Sequence, residues 1–160
     1  MVIKKRLLDV FLEEEEFSLF GIHCTIEDYR LAYLLNKTLA LKLNRLDKDI
    51  DNNNNKTEFS VFEWKDNLQF NTYHLVSNSC KLASKQEQST VDALFSFNPI
   101  KTYHLVPEFS KANYFLKIEK PILPNKEKLI LEKILKIGPV ITAYSINSEH
   151  LKSKDQLIFN

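Results

Sequence analysis

Four histidines, two cysteines and a few isolated carboxylates are the groups through which this chain of 160 residues could carry out chemistry. His74 and His104 hold the same place in a pentapeptide that occurs twice, Thr72-Tyr73-His74-Leu75-Val76 and Thr102-Tyr103-His104-Leu105-Val106. Were the two copies to pair as strands in that register, the imidazoles would come close enough to share a metal or a proton. Either task needs another ligand or a carboxylate, and no H-x-x-x-H, H-x-E or C-x-x-C spacing supplies one. No metal and no cofactor are expected. Five matching residues are also too few to establish an internal duplication.

His23 and Cys24 are neighbours, and neighbours on a strand point to opposite faces, so they form no dyad. Glu108 is the most notable carboxylate because it follows Pro107 at the end of a strand, where functional groups are often displayed; it could equally accept backbone N–H bonds and pin a turn. Glu27, Asp28 and Arg30 cluster at a helix start, where complementarity to the helix dipole and a local ion pair account for them without catalysis. The run Glu13 to Glu16 lacks the alternation of a calcium loop and reads as a solvated stretch. The only glycines, Gly21 and Gly138, lie outside any phosphate-cradling motif. No catalytic residue is assigned.

The elements that would position these groups follow from periodicity. Leu7 to Leu12 is an apolar run broken by Asp9, and Phe17 to Cys24 has the bulky residues of a half-buried strand. Thr25 to Asp28 opens a helix, with Thr25 as the expected cap, and Tyr29, Ala32, Leu35, Leu39, Leu43 and Leu46 recur at helical spacing through residue 46. Asp47 to Thr57, with Asn52 to Asn55, reads as a surface loop. Glu58 to Lys65 and Leu68 to Val76 alternate on either side of a short turn, as a hairpin does. Ser77 to Asp92 reads as a polar loop before Ala93 to Phe97. Both histidine pentapeptides read as strands, and Tyr114 to Lys120 as another. Asn125 is the expected cap of a helix from Lys126 to Ile137 that Gly138-Pro139 ends, the glycine through a left-handed conformation. Val140 to Ile146 and Leu157 to Phe159 close the chain as strands.

Two strand-helix-strand units at the ends of the chain with strands between them predict an α+β fold. The expectation is a two-layer sandwich, a mainly antiparallel sheet with two helices on one face, ferredoxin-like with an inserted hairpin, in a single domain spanning residues 1–160. At 44% apolar and 27% charged residues such a domain can bury a sizeable core. The two cysteines make no disulfide framework. Acidic residues interrupt the apolar run a signal peptide needs, and no stretch is long enough to span a membrane, so a cytoplasmic location is expected. The net charge of +1 provides no drive toward nucleic acid. The halves differ mildly, with 10 basic and 13 acidic side chains in residues 1–80 against 12 and 8 in residues 81–160.

Val106-Pro107-Glu108, followed by Ala112-Asn113-Tyr114, resembles the signature of a bacterial family named for it, the IPExxxVDY proteins. The likeness extends to Glu27-Asp28-Tyr29-Arg30-Leu31 with Leu35-Asn36, to Phe59 to Glu63, and to Leu151 to Lys154. This chain departs from the pattern at Val106, at Ala112, and at Asn113, where the family shows Asp. Loss of that carboxylate argues against acid–base or metal work there, whereas a turn or capping role survives because Asn makes similar local bonds. The signature residues are therefore read as structural.

The resemblance implies no activity. The function expected is a non-catalytic protein-interaction or adaptor module, with another protein as partner, no membrane and no nucleic acid. The alternatives are a small-ligand regulatory domain like the ACT class, with a homodimer as its natural form, and an RNA-associated factor.

Overall fold

A computed structural model of the chain describes residues 16–52, 56–83 and 99–159. The elements in chain order are β1 (Ser18–Cys24), α1 (Asp28–Leu39), β2 (Asn44–Arg45), β3 (Ile50–Asn52), β4 (Thr57–Phe59), β5 (Val61–Asp66), β6 (Asn71–Ser77), β7 (Ser79–Ala83), β8 (Ile100–His104), β9 (Tyr114–Ile118), α2 (Pro124–Leu135) and β10 (Val140–Ile146). Six strands form one sheet in the order β10-β1-β9-β6-β5-β2, every neighbouring pair antiparallel. In this order β1 lies between β9 and β10, and β9 lies between β1 and β6. The unit from β1 through α1 and the unit β9-α2-β10 thus interleave, which is the split arrangement of a ferredoxin-like sandwich. The segment from β2 to β5 widens the sheet beyond β6, and the β7–β8 hairpin is inserted between β6 and β9.

Strand alternation decides which side chains meet the helices. Phe20 and Ile22 of β1, Tyr73 and Leu75 of β6, and Leu116 and Ile118 of β9 pack against Leu31 and Leu35 of α1 and Ile134 of α2. Each such side chain, fully buried, stabilises the fold by about 1.5–3 kcal/mol before entropy is counted. The opposite face is not open to solvent either. Leu19, Val76 and Phe115 point that way and are covered by Leu105, Val106 and Ala112 and by the C-terminal Leu151 and Leu157. An irregular cover therefore lies beneath the sheet, a layer that the two-layer reading of the sequence did not include.

Several expectations need correction. The first helix stops at Leu39, not at Leu46: Ala40 adopts a left-handed conformation, φ 55°, with its N–H bonded to the Asn36 carbonyl. Asn36 then seizes the chain beyond, its Oδ1 accepting from the Leu43 N–H at 2.8 Å and its Nδ2 donating to the Leu43 carbonyl at 3.1 Å. Leu41 and Leu43 reach the core from extended chain. Neither helix has the cap expected, since the capping positions are Glu27 and Leu123 and neither side chain bonds the first turn. Pro124 opens α2 because its missing N–H costs nothing there. Gly138 has no positive φ, so the helix ends without a left-handed glycine.

The repeated pentapeptides do not pair. β6 lies between β5 and β9, whereas β8 pairs with β7 in a separate two-stranded sheet. Leu157 to Phe159 form no strand: Leu157 ends a short 3-10 helix, Lys154–Leu157, and residues 158–159 are irregular. Asn52 belongs to β3, which pairs with β4, so the asparagine-rich stretch starts at the end of a small hairpin. The expectations for Leu7 to Leu12, Glu13 to Glu15, Asn53 to Asn55, Ser84 to Asp92 and Ala93 to Phe97 lie outside the described residues.

The two glycines have opposite reasons for being glycine. A Cβ on Gly21 would stand 2.9 Å from the Tyr144 ring and 3.2 Å from Ile146, because the tyrosine lies across the strand from it. Around Gly138 nothing lies within 4 Å. Gly21→Val is expected to destabilise the protein by about 1–3 kcal/mol through overpacking. Gly138→Ala is expected to stabilise it by about 0.5 kcal/mol, since Gly138 has no positive φ, an added Cβ meets nothing, and the unfolded chain loses freedom. Urea unfolding of the two variants checks both signs.

Candidate functional site

The segment that carries the family-like signature leaves the sheet, makes one turn of 3-10 helix over Pro107–Phe109 and enters β9 at Tyr114. Such irregular chain can be buried only if its backbone groups find partners. Asn78, fully buried between β6 and β7, supplies them. Its Nδ2 donates to the carbonyls of Phe109 at 3.0 Å and Ala112 at 2.8 Å, and its Oδ1 accepts from the Val106 N–H at 2.8 Å. Its own N–H donates to the Asn113 carbonyl and its carbonyl accepts from the Leu105 N–H. Val106 and Ala112, the two apolar signature positions, are thereby driven fully into the cover layer.

The polar signature residues tie this segment to three other parts of the chain. Glu108 accepts from the Ser153 N–H at 2.8 Å and from the Ser153 hydroxyl at 2.9 Å, holding the start of the last 3-10 helix. Its desolvation alone would raise the carboxyl, but bonds from its own backbone, Ser153 and Lys152 outweigh that and hold it below the ordinary glutamate value. Asn113 Oδ1 accepts from the Cys24 N–H at 3.0 Å and lies 2.6 Å from His23 Nδ1, which places the imidazole proton on Nδ1. Its backbone N–H donates to the Ile22 carbonyl. The Tyr114 hydroxyl donates to the Ile26 carbonyl at 2.7 Å, just before α1, and burial pushes that phenol well up, with the Cys24, Asp28 and Glu27 charges adding to the effect. Burial likewise pushes the Cys24 thiol up, which leaves it a poor nucleophile.

The structure brings His74 to a different set of groups from the one its repeat suggested. Its Nε2 lies 3.0 Å from Glu63 Oε2 on β5. Its Nδ1 stands 3.1 Å from Glu119 Oε1, within ion-pairing distance but off the line of a hydrogen bond. Lys117, 1% exposed, donates to the same Glu119 oxygen at 2.9 Å, and its ammonium sits 4.7 Å from the Phe17 ring centre and 5.0 Å from that of Phe159. Burial would raise the Glu119 carboxyl, but the nearness of His74 and the bond and charge of Lys117 prevail and lower it. Phe159 also packs on His74, at 4.8 Å between ring centres. His74 and Lys117 of this group are buried under the cover layer, while the Glu63 and Glu119 carboxylates remain partly exposed. Asn78 and Lys117 were both missed in the sequence, although a lysine inside Tyr114-Phe115-Leu116-Lys117-Ile118 is a signal of a buried ion pair.

The helix-start cluster faces outward, as Pro107 and Glu108 do. Arg30 pairs with Glu27 at 3.5 Å, both half exposed, and Asp28 Oδ1 accepts from the Tyr29 N–H at 2.7 Å. Tyr29 and Tyr33, one turn apart, are 61% and 66% exposed. With Arg30 and Leu34 they line an open cleft of about 480 Å³. Among the described residues no group of three His, Cys, Asp or Glu side chains is arranged to hold a metal, and no helix is long and apolar enough to cross a membrane. Comparison with known proteins finds no matching family model, no matching curated protein and no matching solved structure.

Replacing Asn78 by Leu strands the buried Val106 N–H and Ala112 carbonyl, while the Phe109 carbonyl keeps its bond from the Ala112 N–H, so a loss of roughly 2–5 kcal/mol is expected, enough to unfold a marginal domain. Glu108→Ala, at an exposed and screened site, should cost about 1 kcal/mol. The sign with pH follows from its lowered carboxyl: the stabilisation is complete above the ordinary value of 4.5 and fades as the pH falls through the lower folded value. Chemical denaturation from neutral to acid pH should therefore show the Glu108→Gln curve converging on the wild type below pH 4.5. A constant offset at all pH values would contradict the assignment.

Proposed function

We propose that the protein is a protein-binding module whose contact surface is the outward face of α1. The observation that carries this reading is the pair Tyr29 and Tyr33, both mostly exposed on a rigid helix, with Arg30 and Leu34 completing the cleft between them. Tyrosine and arginine are the side chains that most often dominate protein interfaces, because they offer a large apolar area with few rotors and a polar end. Neither tyrosine contributes to the core that α1 builds through Leu31, Ala32 and Leu35, so the fold does not explain them. The partner suited to this surface presents an apolar side chain to the cleft and a carboxylate to Arg30, which Glu27 holds only loosely at 3.5 Å.

The resemblance to the IPExxxVDY proteins fits within this proposal. The resembling stretch Glu27 to Leu31 covers the exposed Tyr29 and Arg30, whereas Val106 to Tyr114 makes the bonds that hold the cover in place.

The test is affinity capture with the tagged chain and with Tyr29→Ser and Tyr33→Ser. Both variants should melt within about a degree of the wild type, because exposed substitutions cost little. Each should lose the specifically captured protein, as removal of a dominant interface side chain costs about 2 kcal/mol, roughly 30-fold in affinity. Identical capture by the wild type and both variants would remove this face from consideration.

A further inference from the structure

At the far end of the helix layer from that cleft, α1, α2 and the β5–β6 hairpin enclose a recess of about 230 Å³. Leu41, Leu116 and Ile118 contribute apolar side chains from the core, and Leu129 of α2, 51% exposed, stands beside them. One wall is aromatic: Trp64 and Tyr73 stack with ring centres 5.2 Å apart and planes inclined by 26°. Two lysines of α2, Lys126 and Lys133, belong to the lining. Lys126 Nζ donates to the neutral Gln69 side chain at 3.0 Å, and Lys133 forms no ion pair with a described residue. The one carboxylate present, Asp66, is buried and its Oδ1 is engaged by the N–H groups of Leu68 and Gln69. The recess thus holds two cations against one anion. Tyr73, only 5% exposed, makes no hydrogen bond to any described residue through its hydroxyl, so a donor is left for whatever enters. Burial, with the Asp66 charge, pushes that phenol up and keeps its proton in place.

We infer that this recess binds a small planar aromatic acid, the ring lodged against the Trp64–Tyr73 wall and the carboxylate turned to Lys126 and Lys133. The size suits the proposal, since a cavity of about 150 Å³ lined by apolar side chains already takes a benzene ring. Ring-on-ring contact of the kind Trp64 offers contributes about 0.5–1.5 kcal/mol beyond the area buried. The ammonium groups select the sign of the charge. The inference is independent of the proposed α1 surface, from which it shares no residue.

Trp64 is the only tryptophan in the chain, so its emission reports on this recess alone. The experiment titrates the full chain with benzoate, phenylacetate and 3-phenylpropionate, and with benzylamine and benzyl alcohol as the cationic and neutral counterparts. The acids should change the Trp64 emission saturably, with dissociation constants below about 1 mM, the scale reached by a good ligand of this size. Benzylamine should not bind, and benzyl alcohol should bind at least about tenfold more weakly than phenylacetate. Lys126→Gln with Lys133→Gln, both surface changes that leave the fold intact, should weaken the acids about tenfold and abolish the preference over benzyl alcohol. A chemical-shift map of the same titration must place the changes on Trp64, Tyr73 and Leu129. Absence of saturation with every acid, equal binding of benzylamine, or affinity unchanged in the double variant would overturn the inference. Because Tyr29 and Tyr33 are untouched in that variant, protein capture should persist in it, and the two proposals fail separately.

Discussion

A buried backbone group without a partner costs about 1–3 kcal/mol, and this fold lays a long irregular segment, not a helix, across one face of its sheet. The helices on the other face satisfy their own backbones; the cover cannot. One fully buried amide resolves the difficulty, because Asn78 presents two donors and an acceptor at the spacing of the Val106, Phe109 and Ala112 backbone groups while its own N–H and carbonyl bond Asn113 and Leu105. Asparagine is suited to this work where aspartate is not, since only the amide both donates and accepts. Once the turn is fixed, Glu108 is placed to catch Ser153, and the C-terminal chain follows it onto the sheet.

The charged group beneath that cover obeys the same logic with higher stakes. Lys117 sits on the buried face of the central strand β9, and a buried ammonium survives only when paired and screened. Glu119 pairs with it, and the faces of Phe17 and Phe159 supply electron density on its remaining sides. His74 then lies between Glu119 and Glu63 and keeps the two carboxylates apart. Removing one member leaves the others as unpaired charge, which costs more than the group as a whole contributes. The group therefore ties Phe17, just before β1, and Phe159, in the C-terminal chain, to the middle of the sheet.

How much of this could be read in the sequence varies with the range of the interactions involved. β1, β9 and β10 were legible as runs of bulky and β-branched residues, and α2 from the spacing of Ile130, Ile134 and Ile137, which all reach the core. The end of α1 was not, because Leu43 and Leu46 continue the helical spacing while the stop comes from Asn36, whose bonds to Leu43 compete with the helix only in the folded chain. The histidine repeat misled for a related reason: identical pentapeptides have identical strand propensity, but pairing depends on the rest of the sheet, and β9, not β8, lies beside β6. Asn78 stands in Ser77-Asn78-Ser79, composition that normally marks a loop in water. Its burial is set by contacts with residues roughly thirty positions away, which no local pattern encodes.

The division of labour between the two faces bears on where function resides. Every polar signature residue on the cover side is occupied by a bond within the chain, so change there alters stability before it alters anything else. The helix layer differs: α1 buries only Leu31, Ala32 and Leu35 among its twelve residues, and α2 buries only Ile134. Two helices that commit so few side chains to the core leave most of their surface free to be shaped by selection for binding. Tyr29 and Tyr33 near the start of α1, and the recess beside Trp64 near its end, are two places where apolar or aromatic area has been kept on that surface at a cost in solubility. With the sheet covered on both faces, the outward sides of the two helices are where the proposed contacts lie.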